Sequence, residues 1–255
     1  MLGEKNENKK FIKNNLEKNI KTFFINKKNS PTIIKKRFVD NVNKNKVLGV
    51  YSLNDEKLDQ VNEKKLNYFI NDNIKKFDLV IVSDFGHGFI SKNNAKKIIE
   101  LSKFVTVNAQ INSANIGHHT IDKYTKSNCI IINEAELRHE LRSKDVDIKD
   151  LIKMMSKKLK VKVIAVTRGH DGCTIFDAKA NLFIDCPAFA TKVVDKIGSG
   201  DAMLALLSLG LKMKFDNYFN TFISSLAAAQ SVETIGNSER VKKNNILKTI
   251  KHIIK

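Results

Sequence analysis

The sequence predicts an α/β fold in which helices cover a mainly parallel sheet. Four short apolar runs alternate with segments of helical periodicity, as expected for strands joined by crossover helices. A loop containing glycine, asparagine or aspartate follows each run, and 255 residues are enough to bury the core of such a domain. The four runs occupy residues 78–83, 104–107, 129–132 and 162–167.

The segment before these runs has a different character. The first twenty residues carry four apolar side chains at helical spacing, which predicts one amphipathic helix. Residues 21–53 change to short β-prone runs between Lys/Asn turns, and this pattern predicts a small strand meander. We interpret residues 21–53 as a β lid-like subdomain on an α/β core at 56–255, with the whole of 1–255 forming a single domain.

Periodicity and turn spacing predict the other elements. Three short strands near residues 174–176, 182–184 and 193–195 are too closely spaced for crossover helices, so we expect hairpins there. Helices are expected at 56–76, 92–103, 148–159, 217–232 and 240–254.

Composition limits the function classes. The net charge of +18 raises the question of nucleic-acid binding, because Lys and Arg neutralise phosphates. The lysines are scattered, and the chain has neither Trp nor an aromatic-rich basic stripe, so we attribute the charge to coding bias. Three widely spaced cysteines suggest neither a disulfide framework nor a metal site. With no apolar leader and no membrane-length apolar run, we expect a cytoplasmic protein without a membrane partner.

The most informative turn lies within residues 193–211. A β-branched run is followed by Gly198, Ser199, Gly200 and Asp201, and then by an apolar helix. Backbone N–H groups at such a turn, together with the positive end of the helix dipole, form an anion site that glycines allow a phosphate to approach. Asp201 beside a phosphate suggests a general base for a hydroxyl about to be phosphorylated. The alternative is that Asp201 only caps the helix.

Two loops after the first two core strands carry polar groups. Residues 84–88 form a glycine-rich turn where parallel sheets bind ligands, although a plain connecting loop has the same composition. Residues 108–117 are crowded with amides, which donate and accept hydrogen bonds and so suit a polyhydroxylated ligand. An ordinary capped turn is the alternative for this second loop.

Two more loops follow the next strands. Asn133 caps the helix predicted after it, while Glu136 either closes a capping box or points toward a ligand-bound Mg²⁺. Residues 167–172 again place glycines at a strand end. Because the carboxyl ends of parallel strands meet at one edge of a sheet, we expect these loops to lie close to residues 84–88 and 198–201.

The order and content of these loops resemble the ribokinase-like sugar kinases of the PfkB superfamily. Residues 195–201, Asp-Lys-Ile-Gly-Ser-Gly-Asp, are similar to the family signature Asp-Thr-x-Gly-Ala/Ser-Gly-Asp. Residues 133–136 resemble its Asn-x-x-Glu motif, and residues 167–172 its Thr-x-Gly-x-x-Gly motif. Within the superfamily, residues 83–88 and 30–37 look most like the heptose-phosphate kinase domain of ADP-heptose synthesis enzymes.

This resemblance implies a three-layer α/β/α fold with a small β lid, and a kinase that transfers the γ-phosphate of ATP to a sugar or sugar phosphate. Asp201 would take the hydroxyl proton, and Gly198, Ser199 and Gly200 would form the anion hole. The nucleotide side would comprise Asn133, Glu136, Thr167, Arg168, Gly169, Gly172, Gly236 and Asn237, of which Asn133 and Glu136 would order Mg²⁺ through water. The sugar side would comprise Asp84, Gly86, Asn108, Gln110, Asn112, Lys35 and Arg37.

The chain also departs from the family pattern. The family's opening strand with a sugar-binding Asp and its glycine-glycine segment have no counterpart before Lys21, so we expect an N-terminally truncated fold with an exposed sheet edge. Lys196 replaces the usual Thr, and His87 the usual Lys. Two hypotheses stay open. One is a working kinase, either a homodimer through the lid or completed by a partner chain, and the other is a non-catalytic remnant or interaction subunit with an ATP half-site.

Overall fold

A computed structural model describes residues 1–40, 42, 46–111, 115 and 120–253. The strands are β1 Leu2–Gly3, β2 Asn26–Lys27, β3 Ile34–Val39, β4 Lys46–Ser52, β5 Val80–Asp84, β6 Val105–Ala109, β7 Cys129–Asn133, β8 Val163–Thr167, β9 Cys173–Asp177 and β10 Leu182–Cys186. The helices are α1 Lys9–Asn14, α2 Gln60–Asn73, α3 Lys92–Leu101, α4 Glu134–Glu140, α5 Ile148–Leu159, α6 Ser199–Lys212, α7 Asn217–Ser231 and α8 Lys243–Ile253. Short 3₁₀ turns occupy Ile74–Lys76, Ile121–Tyr124, Gly169–Asp171 and Ile235–Asn237.

A six-stranded sheet forms the centre of the fold, in the order β10-β9-β8-β7-β6-β5. Strands β5 to β8 are parallel, whereas β9 and β10 each run antiparallel to the preceding strand. This confirms the predicted α/β class and the hairpin near residue 176. Among the described strands β5 lies at one edge, where Ile81 is 41% exposed.

The two faces of this sheet bury separate apolar clusters because successive strand residues point to opposite sides. Ile130 belongs to the cluster that α2, α3 and α5 cover, and Leu151 of α5 is a buried member of it. Ile131 belongs to the other cluster, which α6 covers with Leu204 and Leu207. The arrangement is therefore a three-layer α/β/α sandwich. It brings the N-terminus of α6 to the carboxyl edge of the parallel strands.

The N-terminal segment differs from the predicted amphipathic helix. Only α1 forms, after Asn8 in a left-handed conformation, and Phe11 is 68% exposed. Leu2 is instead buried, where β1 pairs with β2. The prediction failed because a Lys/Asn-rich segment forms a long helix only when its apolar face is buried, and no such burial occurs here.

The lid is a two-stranded antiparallel ribbon of β3 and β4, which we call the lid ribbon. The first β-prone run of the predicted meander forms no strand, and only the adjacent β2 does. The strand predicted at 193–195 is also wrong, since the amides of Val194 and Asp195 both donate to the single carbonyl of Val232. Within the described ranges, no helix is both long and apolar enough to cross a membrane.

Candidate active site

The turn at residues 198–201 joins the apolar helix α6 to the carboxyl edge of the sheet. Gly198 is the N-cap residue with φ 90°, a left-handed conformation that glycine adopts without strain. No side chain caps the first turn of α6 at this position. A Cβ added to Gly200 would meet no described atom within 4 Å. The first turn of a helix leaves its backbone N–H groups without intrahelical partners, which is the arrangement that binds an anion.

Asp201 is the third residue of α6 and is exposed. It is therefore not the N-cap residue, which was the alternative interpretation of its position. The Ser83 hydroxyl donates a hydrogen bond to Asp201 Oδ1 at 3.2 Å. The carboxylate consequently lies between the end of β5 and the open turn. A hydroxyl bound there would have a base within reach.

Asp195 connects this turn to the segment between α7 and α8. Its Oδ1 accepts a hydrogen bond from the amide of Ile197 at 3.1 Å, and its Oδ2 accepts one from the amide of Gly236 at 3.0 Å. Gly236 has φ 58°, and a Cβ there would meet no described atom. The structure thus brings Gly236 and the backbone of Asn237 next to the turn at residues 198–201. Sequence analysis did not assign this role to Asp195, although Asp195 opens the family motif.

Asn133 and Glu136 form a reciprocal capping box at the start of α4. Asn133 Oδ1 accepts from the Glu136 amide at 2.8 Å, and Glu136 Oε2 accepts from the Asn133 amide at 3.0 Å. Glu136 Oε1 accepts from the Ile111 amide at 3.1 Å. Burial raises the pKa of Glu136. Of the two roles considered for Glu136, the structure contains the capping box.

The same contacts bear on a metal ion. Both oxygens of Glu136 accept backbone hydrogen bonds, and the side chain is buried. The described ranges contain no group of three or more His, Cys, Asp or Glu side chains placed to hold a metal. The indirect role of Asn133 and Glu136, through water, stays a prediction.

Residues 167–172 lie beside Asn133, because Thr167 is its register partner on β8. Arg168 Nε donates to Glu134 Oε2 at 3.1 Å, so the two loops are joined by an ion pair. Although burial alone would raise the pKa of Glu134, hydrogen bonds from Arg138 and Arg168 lower it. Glu134 was not identified from the sequence, where it stands only as the first residue of a helix.

The two glycines of this loop differ in their surroundings. A Cβ on Gly169, at φ 60°, would meet no described atom, whereas a Cβ on Gly172 would lie 2.0 Å from the carbonyl oxygen of Cys186. Gly169 therefore borders open space, and Gly172 allows β9 to pack against the chain after β10. That chain leads to Phe189, which lines a cavity of about 310 Å³ together with Leu226 of α7 and Ile246 of α8.

Asp84 has a buried carboxylate with three partners inside the protein. It is 4% exposed. Its Oδ2 accepts from the Tyr124 hydroxyl at 2.6 Å and pairs with Lys123 Nζ at 2.6 Å, while its Oδ1 accepts from the Gly86 amide at 3.0 Å. Burial, and the negative charge of Asp84, raise the pKa of Tyr124. These contacts stabilise the conformation of the 84–88 loop.

The same loop is attached to the residues that follow the lid ribbon. His87 Nδ1 lies 2.6 Å from Asp55 Oδ1. A Cβ on Gly88 would lie 1.9 Å from the carbonyl oxygen of Glu56, so only glycine fits there without a shift. Lys35 of β3 lies over the ring of Phe85, 5.6 Å from its centroid.

Lys35 and Arg37 lie on one face of the lid ribbon, because alternate residues of β3 share a face. Burial lowers the pKa of Lys35. The Lys35 ammonium also lies 5.9 Å from the centroid of Tyr51 on β4. The cationic face of the lid ribbon is therefore turned toward the 84–88 loop.

The amide-rich segment is only partly described, and Asn112 lies outside the described residues. Asn108 is the register partner of Ser83, and its side chain donates to the carbonyl oxygen of Ile131 at 2.9 Å. The Gln110 amide donates to the carbonyl oxygen of Asp84 at 2.8 Å. The segment thus runs alongside the 84–88 loop, and Asn108 is one strand away from the Asp201 contact.

Comparisons with known proteins identify relatives of this chain. The bifunctional protein HldE of Campylobacter fetus is 29% identical over 166 residues, which is 64% of this chain and 35% of that protein. HldE of Campylobacter jejuni is 24% identical over 225 residues, 87% of this chain and 46% of that protein. The chain therefore spans about a third to a half of the length of these curated relatives.

Solved structures share the fold. Ribokinase from Thermotoga maritima superposes with a TM-score of 0.74 at 17% identity, covering 98% of this chain and 79% of that one. A putative ribokinase from Agrobacterium tumefaciens superposes with a TM-score of 0.76 at 16% identity, covering 99% of this chain and 79% of that one. The sequence profile described as pfkB family carbohydrate kinase matches residues 1–240. This chain belongs to the pfkB family of carbohydrate kinases.

Proposed function

We propose that the chain transfers the γ-phosphoryl group of ATP to a hydroxyl of a sugar phosphate of the heptose-phosphate class. The observation that carries the proposal is the pairing of Asp201 with the open turn at residues 198–200. A carboxylate beside an anion site repels the anion, so its position calls for a chemical role. The HldE relatives and the family match support a sugar kinase over other phosphate-binding proteins.

Asp201 acts as the general base in this proposal. It accepts the proton of the sugar hydroxyl as that oxygen attacks, which contributes about 10²–10⁴-fold to such reactions. The backbone N–H groups of Ser199 and Gly200 donate to the oxygens of the transferred phosphoryl group, where negative charge spreads in the transition state. Bound ATP supplies the phosphoryl group. The first contribution is proton transfer and the second is electrostatic, and both groups belong to the first turn of α6.

The nucleotide extends from this turn along the loops at 133–136 and 167–172. Asn133, Thr167 and Arg168 line this path at one sheet edge, and Gly169 and Gly236 leave room because neither has a side chain there. The cavity beside Phe189, which has both apolar and polar lining side chains, is the site proposed for the base. The side chains fit the phosphates and the base, whereas no direct Mg²⁺ ligand is assigned.

The sugar phosphate lies between the lid ribbon and the carboxyl ends of β5 and β6. In this proposal Lys35 and Arg37 bind its phosphate group, and the side chains of Asn108 and Gln110 bind its hydroxyls. Asp84 contributes indirectly, since its carboxylate is bonded within the protein and holds Gly86 in the loop.

Phosphoryl transfer from ATP to a panel of heptose and hexose phosphates tests the proposal. The wild type is expected to favour a heptose phosphate, and Asp201→Asn to lose about 10²-fold or more of the rate. Asp216→Asn is the matched control, because Asp216 caps the neighbouring helix α7 and Asn caps equally well. Equal rates for wild type and Asp201→Asn would contradict the proposal. Bound ATP without transfer to any sugar would favour the interaction subunit.

We also propose that a second copy of the chain covers the outer face of the lid ribbon. Phe38, Leu48 and Val50 share that face, and all three are exposed. A two-stranded ribbon is marginal by itself, and an isologous pair buries the same apolar patch twice. Sedimentation of the wild type should give a dimer and Phe38→Asp a monomer. A monomeric wild type, or a dimer that persists in Phe38→Asp, would contradict this assembly.

A further inference from the structure

We propose that Ser83 is a positioning residue that orients the Asp201 carboxylate for catalysis. The inference rests on the proposed role of Asp201 as the base. Ser83 lies near the end of β5, and its hydroxyl donates to Asp201 Oδ1 at 3.2 Å across 118 positions of sequence. The contact joins the edge strand of the sheet to the first turn of α6.

The chemistry of a carboxylate explains why such a donor matters. The terminal torsion of an Asp side chain has a broad two-fold distribution, so an exposed carboxylate on a helix surface rotates among orientations. A hydroxyl that donates to an ionised oxygen makes a charge-assisted hydrogen bond. Because Ser83 engages Oδ1, it leaves Oδ2 as the atom that accepts the substrate proton.

A second hydroxyl contact provides an internal comparison. Thr106 of β6 and Ser208 of α6 lie 2.6 Å apart between their hydroxyl oxygens, and both side chains are fully buried. This contact joins the same helix to the next strand, roughly two helical turns beyond Asp201. The Thr106 contact is thus placed to stabilise the helix on the sheet, while the exposed Ser83 contact is placed to act on Asp201.

Kinetics of three variants test this assignment. Ser83→Ala is expected to lower kcat about tenfold, within the range that misplacement of a catalytic group produces, with both KM values and the Tm near wild type. Ser83→Thr should restore kcat because it retains the hydroxyl. Ser208→Ala should lower the Tm, since it leaves the buried Thr106 hydroxyl without its partner, and should keep kcat.

Several outcomes would overturn the assignment. A wild-type kcat in Ser83→Ala would do so while leaving the proposed function intact, provided that Asp201→Asn is inactive. A raised sugar KM with unchanged kcat would make Ser83 a substrate contact instead. Active Asp201→Asn would refute the proposed function itself, which is a distinguishable result. Crystal structures provide a test that does not depend on activity. The Asp201 carboxylate should have one orientation in the wild type and several in Ser83→Ala. A single unchanged orientation in Ser83→Ala would contradict the inference.

Discussion

Two glycine-containing segments at the same sheet edge have similar composition but differ in the exposure and the internal contacts of their Asp side chains. The loop at residues 198–201 has an exposed carboxylate, an uncapped helix start and open space around Gly200. The loop at residues 84–88 has a buried carboxylate with three partners, and its Gly88 packs against the backbone of Glu56. Both contain Asp and two glycines, but the carboxylate is exposed only in the first.

This difference shows how a ligand site can be distinguished from a structural turn. Glycine and aspartate suit both, because a tight turn and a phosphate cradle each need positive φ and short polar side chains. Hydrogen-bond saturation separates them, since a carboxylate that is already bonded within the protein has little capacity left for a ligand. The following predictions test that separation.

The largest effect is expected for Asp84→Asn. The substitution leaves the Lys123 ammonium, which is 10% exposed, without its countercharge. Loss of one partner from a buried ion pair costs about 3–5 kcal/mol of unfolding free energy. Chemical denaturation measures it. Asp201→Asn is the comparison and should keep the wild-type midpoint, and an equal loss in both variants would remove the distinction between the loops.

An intermediate effect is expected for Gly200→Ala, which should lower activity rather than stability. The added methyl group meets no described atom within 4 Å beyond its own turn, so we expect folding to be unaffected, but it occupies the space assigned to the phosphates. We expect kcat/KM for ATP to fall by about 10²-fold, at the lower end of the range for a lost oxyanion-type contact.

The matched substitution is Gly88→Ala in the other loop. Its φ of 75° and the contact with Glu56 predict a lower Tm, with the specific activity of the folded fraction retained. Kinetics and thermal unfolding of both variants measure the contrast. A stable, fully active Gly200→Ala would contradict the phosphate assignment.

The smallest effect concerns pH and the capping box. Burial raises the pKa of Glu136, so between the ordinary value of 4.5 and the raised value the folded state holds more protons than the unfolded one. That contribution to stability is full below 4.5 and is lost as pH rises through the window. Glu136→Gln should flatten this part of the curve.

Glu134 is the comparison, because its effect on the pH dependence of stability has the opposite sign. Its lowered pKa contributes stability above the unfolded value that is lost as pH falls. Glu134→Gln should therefore weaken the loss of stability at acid pH. Unfolding midpoints measured from about pH 3 to 8, which includes the carboxyl titrations, give the pH dependence of stability for both variants. Identical curves for wild type and Glu136→Gln would show that burial does not perturb the Glu136 carboxyl.

Much of the sheet could be predicted, because apolar runs and the loops after them are local in sequence. The four parallel strands, the hairpin of β9 and β10 and the position of the 198–201 turn follow from such patterns. The partners of Asp84 could not be predicted, since Tyr124 is 40 residues away and nothing local marks the contact. The same holds for Ser83 with Asp201 and for Asp195 with Gly236, which meet only after the chain has folded.

The prediction for the N-terminal twenty residues failed for a related reason. Helical spacing of apolar residues indicates a helix when tertiary packing covers that face, and Phe11 is left exposed. Leu2 is buried through pairing of β1 with β2, a long-range contact that periodicity does not encode.

ATP affinity and turnover, measured together in Asp201→Asn, test the central claim most directly. If residues 198–200 bind the phosphates and Asp201 is the base, the substitution removes a charge that repels the phosphates. Calorimetry should then give ATP binding equal to or tighter than wild type, while kcat for sugar phosphorylation falls by about 10²-fold or more. Turnover that is unchanged, or that falls only in proportion to weakened ATP binding, would contradict the account.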